Sequence, residues 1–451
     1  MHIHFIAIGG SAMHNLAIAL HKKGIKVTGS DDEIFEPSRS RLNQYGLLPK
    51  YSGWHPELLS GNPDAIILGM HARTDNPELL KAMELGLKIY SYPEFLFEQT
   101  KTKTRIVIGG SHGKTTTTSM VMHVLKYHHY RFDYMVGANL EGFETMVGLD
   151  DSSEFAIFEG DEYLSSPIDQ RPKFHHYRPH IAMLTGIAWD HINVFPTFEN
   201  YVEQFRIFAE MIEPGGSLIY FEKDENLRRI ANEIPSSVKS ISYNTPDYMV
   251  EGRNTSLLIN GIKIPLKIFG EHNLQNLAGA QLVCREIGLT DEQFFEAITT
   301  FKGSARRLEM IAENSNTTVF FDFAHSPSKL KATTRAVKNQ FPDRELVAVM
   351  ELHTFSSLKK EFLPHYSGTM NAADVAWVYF DPQTIEHKKL EFISPELVQE
   401  AFGDVVVFTD ADVLFSQLND INWKNKNLLI MTSGNFSGKD IKTFGKQLIS
   451  G

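Results

Sequence analysis

Residues 109–116, reading Gly-Gly-Ser-His-Gly-Lys-Thr-Thr, hold the densest chemistry in the chain. They follow the apolar, β-branched run Ile106-Val107-Ile108 and precede an apolar-periodic stretch from Met120 to Leu125. That order spells strand, glycine turn, helix. Such a turn aims backbone N–H groups and a helix N-terminus at phosphate. Gly110, Ser111, His112, Gly113 and Thr116 are the candidate cradle. Lys114 reaches the outer phosphates, and the Thr115 hydroxyl is a candidate Mg²⁺ ligand. The usual first glycine of a phosphate loop is absent, because Ile108 stands in its place.

Other reactive groups recur where strands should end. Glu159, Asp161 and Glu162 close the apolar run 155–158, and hard carboxylate oxygens beside a nucleotide suit Mg²⁺, with Glu159 favoured. Asp190-His191 follows the next apolar run, 181–185, where His191 is a candidate second metal ligand. In Gly270-Glu271-His272-Asn273-Leu274-Gln275-Asn276, the amides of Asn273 and Asn276 suit an adenine edge. Taken alone, Asn273 reads better as a helix cap. Arg306 and Arg307 are adjacent, so in a strand they would face opposite ways and one would meet phosphate. Asp322 suits a ribose hydroxyl, and His325 the reacting end. Near the N-terminus, Gly9-Gly10-Ser11-Ala12-Met13 follows an apolar run, and Ser30-Asp31 lies about 20 residues on. An acid there suits a ribose, although the full dinucleotide pattern is missing.

The elements that must position these groups alternate throughout. Residues 5–8, 26–28, 65–68 and 88–90 read as strands, with helices over 12–20 and 77–85. A second segment places strands at 155–158, 181–185 and 217–220. A third places them at 318–321, 346–350, 375–378, 405–409 and 428–431. Residues 245–265 read as a hairpin turning at Asn260-Gly261. Alternating strands and helices imply an α/β chain with parallel sheets. The expected domains are 1–102, 103–311 and 312–451, each Rossmann-like or, in the centre, a phosphate-loop fold.

Composition limits the function. At 451 residues the chain needs more than one core. Its formal charge of −11 disfavours a general nucleic-acid binder. Its single cysteine, Cys284, excludes an internal disulfide and fits a reducing compartment. The apolar runs are too short to span a bilayer and the N-terminus lacks signal-peptide features, so a cytoplasmic protein without integral membrane association is expected. A monomer or weak dimer is expected.

Taken in order, Gly-Ser-His-Gly-Lys-Thr-Thr, Glu-Gly-Asp-Glu, Asp-His, His-Asn-Leu-Gln-Asn, Arg-Arg and Asp-Phe-Ala-His-Ser-Pro resemble the Mur ligase family over nearly the whole chain. The resemblance implies a three-domain, ATP- and Mg²⁺-dependent enzyme that forms amide bonds in peptidoglycan assembly. Lys114, Glu159, His191, Arg306 and His325 would be catalytic. Asn273, Asn276, Arg307 and Asp322 would join the loop in holding ATP, and Thr115, Glu159 and His191 the metal.

Gly9-Gly10-Ser11-Ala12-Met13 and Arg73-Thr74-Asp75-Asn76-Pro77-Glu78 resemble the branch that accepts UDP-N-acetylmuramate. There Gly9, Gly10, Ser11, Met13, Ser30, Asp31, His71, Arg73 and Asn76 would bind substrate. Asp169-Gln170-Arg171-Pro172-Lys173-Phe174-His175-His176-Tyr177 resembles a stretch of the members that take the murein tripeptide as acceptor. Arg171, Lys173 and His176 would then face the carboxylates of L-Ala-γ-D-Glu-meso-diaminopimelate. Gln170, Phe321 and Ser326 depart from the family pattern. L-Alanine as acceptor is the alternative, followed by a non-catalytic sugar-nucleotide module; folate polyglutamylation shares only the core.

Overall fold

The computed structural model describes residues 1–189 and 194–449. They form two compact units, one of residues 1–189, 194–244 and 276–297, the other of residues 245–275 and 298–449. Among the described residues no helix is long and apolar enough to cross a membrane.

The first unit contains a parallel four-stranded sheet and a mainly parallel seven-stranded one. The N-terminal sheet orders its strands Lys26–Ser30, His2–Ile6, Ala65–Leu68, Ile89–Ser91. The first strand ends two residues before the expected limit. Ala7 takes a left-handed φ of 69°, and the N–H groups of Ala7 and Ile8 both turn to the Ser30 carbonyl. The helix Ser11–Lys22 follows, buried without interruption from Met13 to Leu20.

The second sheet has seven strands, ordered Lys239–Tyr243, Ser217–Phe221, Ile181–Leu184, Thr104–Gly109, Phe155–Gly160, Phe132–Met135, Val147–Gly148. Only the last pairing is antiparallel. The strand Thr104–Gly109 is flanked on both sides by later strands, so its C-terminal end opens at a switch point of the sheet, where ligands bind in such folds. Ile108 pairs with Glu159 and Gly109 with Leu184, which brings three strand ends to one rim. The helix Lys114–Tyr127 leaves that rim with Thr115 to Thr118 all buried. Threonine runs are mediocre helix formers, and burial of this face supplies what propensity does not.

In the second unit a six-stranded sheet is ordered Glu309–Glu313, Thr318–Asp322, Lys426–Met431, Glu345–Leu352, Val375–Phe380, Val406–Phe408. Its strands alternate between two cores: Phe320, Ala348, Met350 and Leu429 face one, Val319, Val347, Val349 and Leu428 the other. Residues 245–265 form a three-stranded meander rather than a hairpin, with strands Tyr248–Glu251, Asn254–Ile259 and Ile262–Leu266. The second turn is the expected one, Asn260 and Gly261 both having positive φ. The first, at Gly252-Arg253, follows a strand so short and exposed that its residues carry no alternating pattern.

Candidate active site

The phosphate loop is built by two glycines that admit no side chain. Gly110 has φ 125°, and a Cβ there would strike the Thr185 hydroxyl. Gly113 has φ 76°, and a Cβ there would overlap the Asn276 side-chain amide. Gly113 caps the helix Lys114–Tyr127 without a side-chain hydrogen bond, so the first helical N–H groups face the loop. Asn276 is thereby packed on the loop. Gly113→Ala is expected to weaken Mg-ADP about tenfold or more, since a left-handed alanine costs roughly 1–2 kcal/mol before Asn276 is displaced. Calorimetric titration gives the answer, and an unchanged affinity would remove Gly113 from the site.

Lys114 Nζ donates to Glu162 Oε2 at 2.6 Å and to the Gly110 carbonyl at 2.7 Å. Burial alone would lower its pKa, but the carboxylates of Glu162, Asp161 and Glu159 hold it above the ordinary lysine value. The ammonium is therefore a fixed positive charge at the strand rim. Ser111 turns its hydroxyl inward, where it meets the Tyr201 hydroxyl at 2.9 Å and accepts from the Ala188 N–H at 2.9 Å. The His112 carbonyl accepts from the Thr185 hydroxyl. Thr116 is buried within the helix.

Thr115 Oγ1 donates to Glu159 Oε1 at 2.9 Å, and Glu159 Oε2 accepts from the Gly137 N–H at 2.7 Å. A Cβ on Gly137 would lie 2.7 Å from Glu159 Oε1, so glycine is what lets that backbone approach. A hydroxyl and a carboxylate converging beside a phosphate loop are the hard oxygen pair that Mg²⁺ takes, with phosphate and water completing its shell. The residues present fit the ion. His191, expected as a second ligand, lies outside the described residues, as does Asp190.

Beyond the strand Phe155–Gly160, which carries Glu159, the chain leads into the expected cationic segment. Leu164–Ser166 pairs antiparallel with Asp169–Pro172, and a short turn, Lys173–His176, follows. Phe174 anchors it, stacked 4.5 Å from Phe208. Arg171 grips Asp169 through both carboxylate oxygens, at 2.9 and 2.6 Å. Lys173 Nζ lies 2.6 Å from Asp161. Burial would raise the Asp161 pKa, but Lys173 and Lys114 drive it far below the carboxylate range. His176 lies 3.3 Å from Asp169, and burial together with Arg171 pushes its pKa down to about 4. At neutral pH His176 is an uncharged imidazole, so the positive charge of the segment rests on Arg171 and Lys173.

In the N-terminal sheet Asp31 Oδ2 accepts from the Gly9 N–H at 2.7 Å, and His71 Nε2 lies 3.5 Å away. The bond to Asp31 raises the His71 pKa. A Cβ on Gly9 would lie 2.9 Å from Asp31 Oδ2, and one on Gly10 3.2 Å from His71, so Gly9, Gly10, Asp31 and His71 form one cluster. Ser11 bonds the Met146 sulfur at 3.9 Å, and Met13 is buried. Arg73 is exposed, whereas Asn76 is buried and caps the helix Pro77–Glu84 by accepting from the N–H groups of Glu78 and Leu79. Ser30 Oγ donates to the buried carboxylate of Glu78, the last residue of the Arg73–Glu78 stretch, to which the resemblance assigns no role of its own.

In the second unit the two arginines are not in a strand. Arg306 and Leu308 have positive φ, and the strand begins at Glu309, so alternation does not separate the pair. Both guanidinium groups lie on the Phe323 ring, at 5.1 and 4.7 Å, and Arg306 also donates to the Thr432 and Gly434 carbonyls. Asp322 accepts from the Leu308 N–H, and burial raises its pKa. His325 Nδ1 donates to the Phe323 carbonyl at 2.9 Å. Asn273 is the third residue of its helix rather than its cap, and donates to the Phe269 carbonyl.

A phosphate loop at the switch point of a parallel sheet, with a lysine, a threonine and a strand-end glutamate on one rim, defines a nucleotide-binding α/β protein. Its sequence narrows the class. Residues 2–104 match the Mur ligase family, catalytic domain; residues 108–284 the Mur ligase middle domain; residues 306–436 the Mur ligase, glutamate ligase domain. The UDP-N-acetylmuramate–L-alanine ligase of Persephonella marina is 30% identical over 446 residues, covering 96% of this chain and 94% of that protein. The UDP-N-acetylmuramate–L-alanyl-γ-D-glutamyl-meso-2,6-diaminoheptandioate ligase of Escherichia coli is 27% identical, covering 97% and 96%. A murein peptide ligase structure from Psychrobacter arcticus superposes with a TM-score of 0.67 at 25% identity, covering 100% of this chain and 98% of that one. The chain belongs to the Mur ligase family, and is an ATP-dependent amide-forming ligase of peptidoglycan assembly.

Proposed function

We propose that the chain joins UDP-N-acetylmuramate to the murein tripeptide L-Ala-γ-D-Glu-meso-diaminopimelate. The observation that carries this reading is the segment from Asp169 to Tyr177. It is anchored by Phe174, it carries Arg171 and Lys173, and it follows closely in the chain on the strand that bears Glu159. Planar or compact cations held by acidic neighbours suit an acceptor rich in carboxylates, which can exchange with those neighbours. L-Alanine offers one carboxylate and makes less use of such a segment. The likeness to the Escherichia coli and Psychrobacter ligases supports the same reading.

In the reaction so proposed, the lactyl carboxylate attacks the γ-phosphorus of ATP, giving an acyl phosphate and ADP. The acceptor amine then adds to the acyl carbon and expels inorganic phosphate, leaving the amide and releasing a proton. Lys114 neutralises charge on the moving phosphoryl group, and the loop N–H groups orient it. Thr115 and Glu159 would hold Mg²⁺, which when bound polarises the phosphate oxygens. The Gly9, Gly10, Asp31 and His71 cluster would take the sugar nucleotide, with Asp31 as hydroxyl acceptor. For Asn273, Arg306, Arg307, Asp322 and His325 the roles implied by the resemblance are retained as proposals.

A second reading is favoured by the 30% identical Persephonella ligase: L-alanine as acceptor. Phosphate release is measured with ATP, Mg²⁺ and UDP-N-acetylmuramate plus either the tripeptide or L-alanine. Turnover with the tripeptide is expected to exceed that with alanine by at least about tenfold in kcat/KM, roughly 1.4 kcal/mol of discrimination. Turnover with alanine alone would replace the first reading by the second.

A further inference from the structure

Tyr201 lies on the helix Phe198–Glu210, outside every motif that marks the nucleotide site. It is completely buried, and its ring is clamped between Phe195 at 5.4 Å and Phe205 at 5.2 Å. A core aromatic would be the ordinary reading of such a residue. Its hydroxyl does more. Tyr201 OH donates to Glu162 Oε1 at 2.9 Å, while the other oxygen of that carboxylate receives Lys114. A carboxylate only accepts, so the single phenolic proton is committed to Glu162. The Ser111 hydroxyl, 2.9 Å from the phenol oxygen, must then donate to it, which leaves the Ser111 oxygen to accept from the Ala188 N–H.

The polarity is consistent from end to end. Ala188 N–H donates to Ser111, Ser111 to Tyr201, Tyr201 to Glu162, and Glu162 receives the Lys114 ammonium, which also bonds the Gly110 carbonyl. Hydrogen bonds in such a chain polarise one another, most strongly where water is excluded and the last acceptor is charged. Glu162 is itself fully buried. The chain therefore ties both ends of the phosphate loop, Gly110-Ser111 and Lys114, to one helix that has no residue in the loop.

We propose that Tyr201 and Glu162 are positioning residues for ATP, fixing the Lys114 ammonium and the Ser111 turn as a single unit. The helix Phe198–Glu210 is held at its start by Thr197, whose hydroxyl accepts from the Asn200 N–H at 3.2 Å, so the phenol is delivered from a rigid support. The inference rests on the use of ATP and not on the choice of amine.

Three variants test it: Tyr201→Phe, Glu162→Gln and the double variant, each measured for Mg-ADP affinity by calorimetry and for KM of ATP and of UDP-N-acetylmuramate. Tyr201→Phe keeps the ring and its packing. It is expected to weaken Mg-ADP and raise KM for ATP about three- to tenfold, the worth of one net hydrogen bond. KM for UDP-N-acetylmuramate should move less than about twofold. Glu162→Gln removes the ion pair and should act more strongly. Because the two residues work through one chain, the double variant should be no worse than Glu162→Gln alone. Unchanged nucleotide affinity in both single variants, strictly multiplicative effects in the double variant, or a parallel rise in both KM values would each overturn the proposal. Mg-ADP binding needs no acceptor, so a wrong acceptor assignment leaves this result intact.

Discussion

Lys114→Met is expected to lower kcat/KM for ATP about 10³-fold while the protein remains folded. The substitution keeps most of the apolar stem and removes the ammonium, with its charge and its hydrogen bonds to Glu162 and the Gly110 carbonyl. Loss of one preorganised donor to developing charge costs about 10²–10³ in rate, and the groups that neutralise a transferring phosphoryl lie at or above that range. The structure adds a complication that can be exploited. Lys114 is the partner of Glu162, so methionine leaves a buried carboxylate with Tyr201 as a remaining donor. Part of any loss could then come from a disturbed loop rather than from missing charge. Lys114→Met combined with Glu162→Gln separates the two, because the amide removes the uncompensated charge. The double variant should recover thermal stability and stay inactive. Recovery of activity to within tenfold of the parent would mean that Lys114 supports the loop and does not act on phosphate.

The parts of the site that were legible in the sequence are those whose chemistry is local. Gly110, Gly113, Lys114 and Thr115 are neighbours along the chain, and the reason for each lies within a few residues of it. Glu159 was legible because an acid closing an apolar strand beside such a loop has few other uses. Tyr201, and the bracing role of Glu78 within the Arg73–Glu78 stretch, were not legible, since a tyrosine or glutamate on an amphipathic helix carries no mark of the distant groups it meets. Alternation misled at Arg306 and Arg307, where positive φ values break the strand that the rule presumes. The strand Phe132–Met135 was hidden by Asp133, an acid in its centre. That acid is buried and satisfied by Lys103 at 2.7 Å, the Asp150 N–H at 2.7 Å and the Ser153 hydroxyl at 2.7 Å. Polarity patterns report solvent exposure, and a buried charge with its own partners defeats them.

Glu78→Leu is expected to destabilise the first unit by about 3 kcal/mol or more. Glu78 is fully buried and accepts from His4 Nε2 at 3.3 Å, the His55 N–H at 2.5 Å and the Ser30 hydroxyl. Leucine fills comparable space but leaves those three donors unsatisfied, each at roughly 1–3 kcal/mol. The pH dependence follows from the direction of the Glu78 pKa. Burial would raise it, yet His4, Ser30 and the His55 N–H outweigh burial and hold it below the ordinary glutamate value. A depressed folded pKa contributes stability that is present above the unfolded value, about 4.3, and is lost as pH falls through the folded one. The stability gap between parent and Glu78→Leu should therefore be widest near pH 7 and narrow as pH approaches 3, read from the first unfolding transition. A gap that stays constant over that range would show that Glu78 acts by packing alone. The consequence should reach substrate as well. Ser30 precedes Asp31, whose carbonyl accepts from the Gly53 N–H at 2.8 Å while its carboxylate meets Gly9 and His71. A single buried carboxylate thus braces three segments around the proposed sugar-nucleotide cluster. Glu78→Gln retains an acceptor oxygen and the side-chain volume, so it should keep more of the stability while raising KM for UDP-N-acetylmuramate and leaving KM for ATP unchanged.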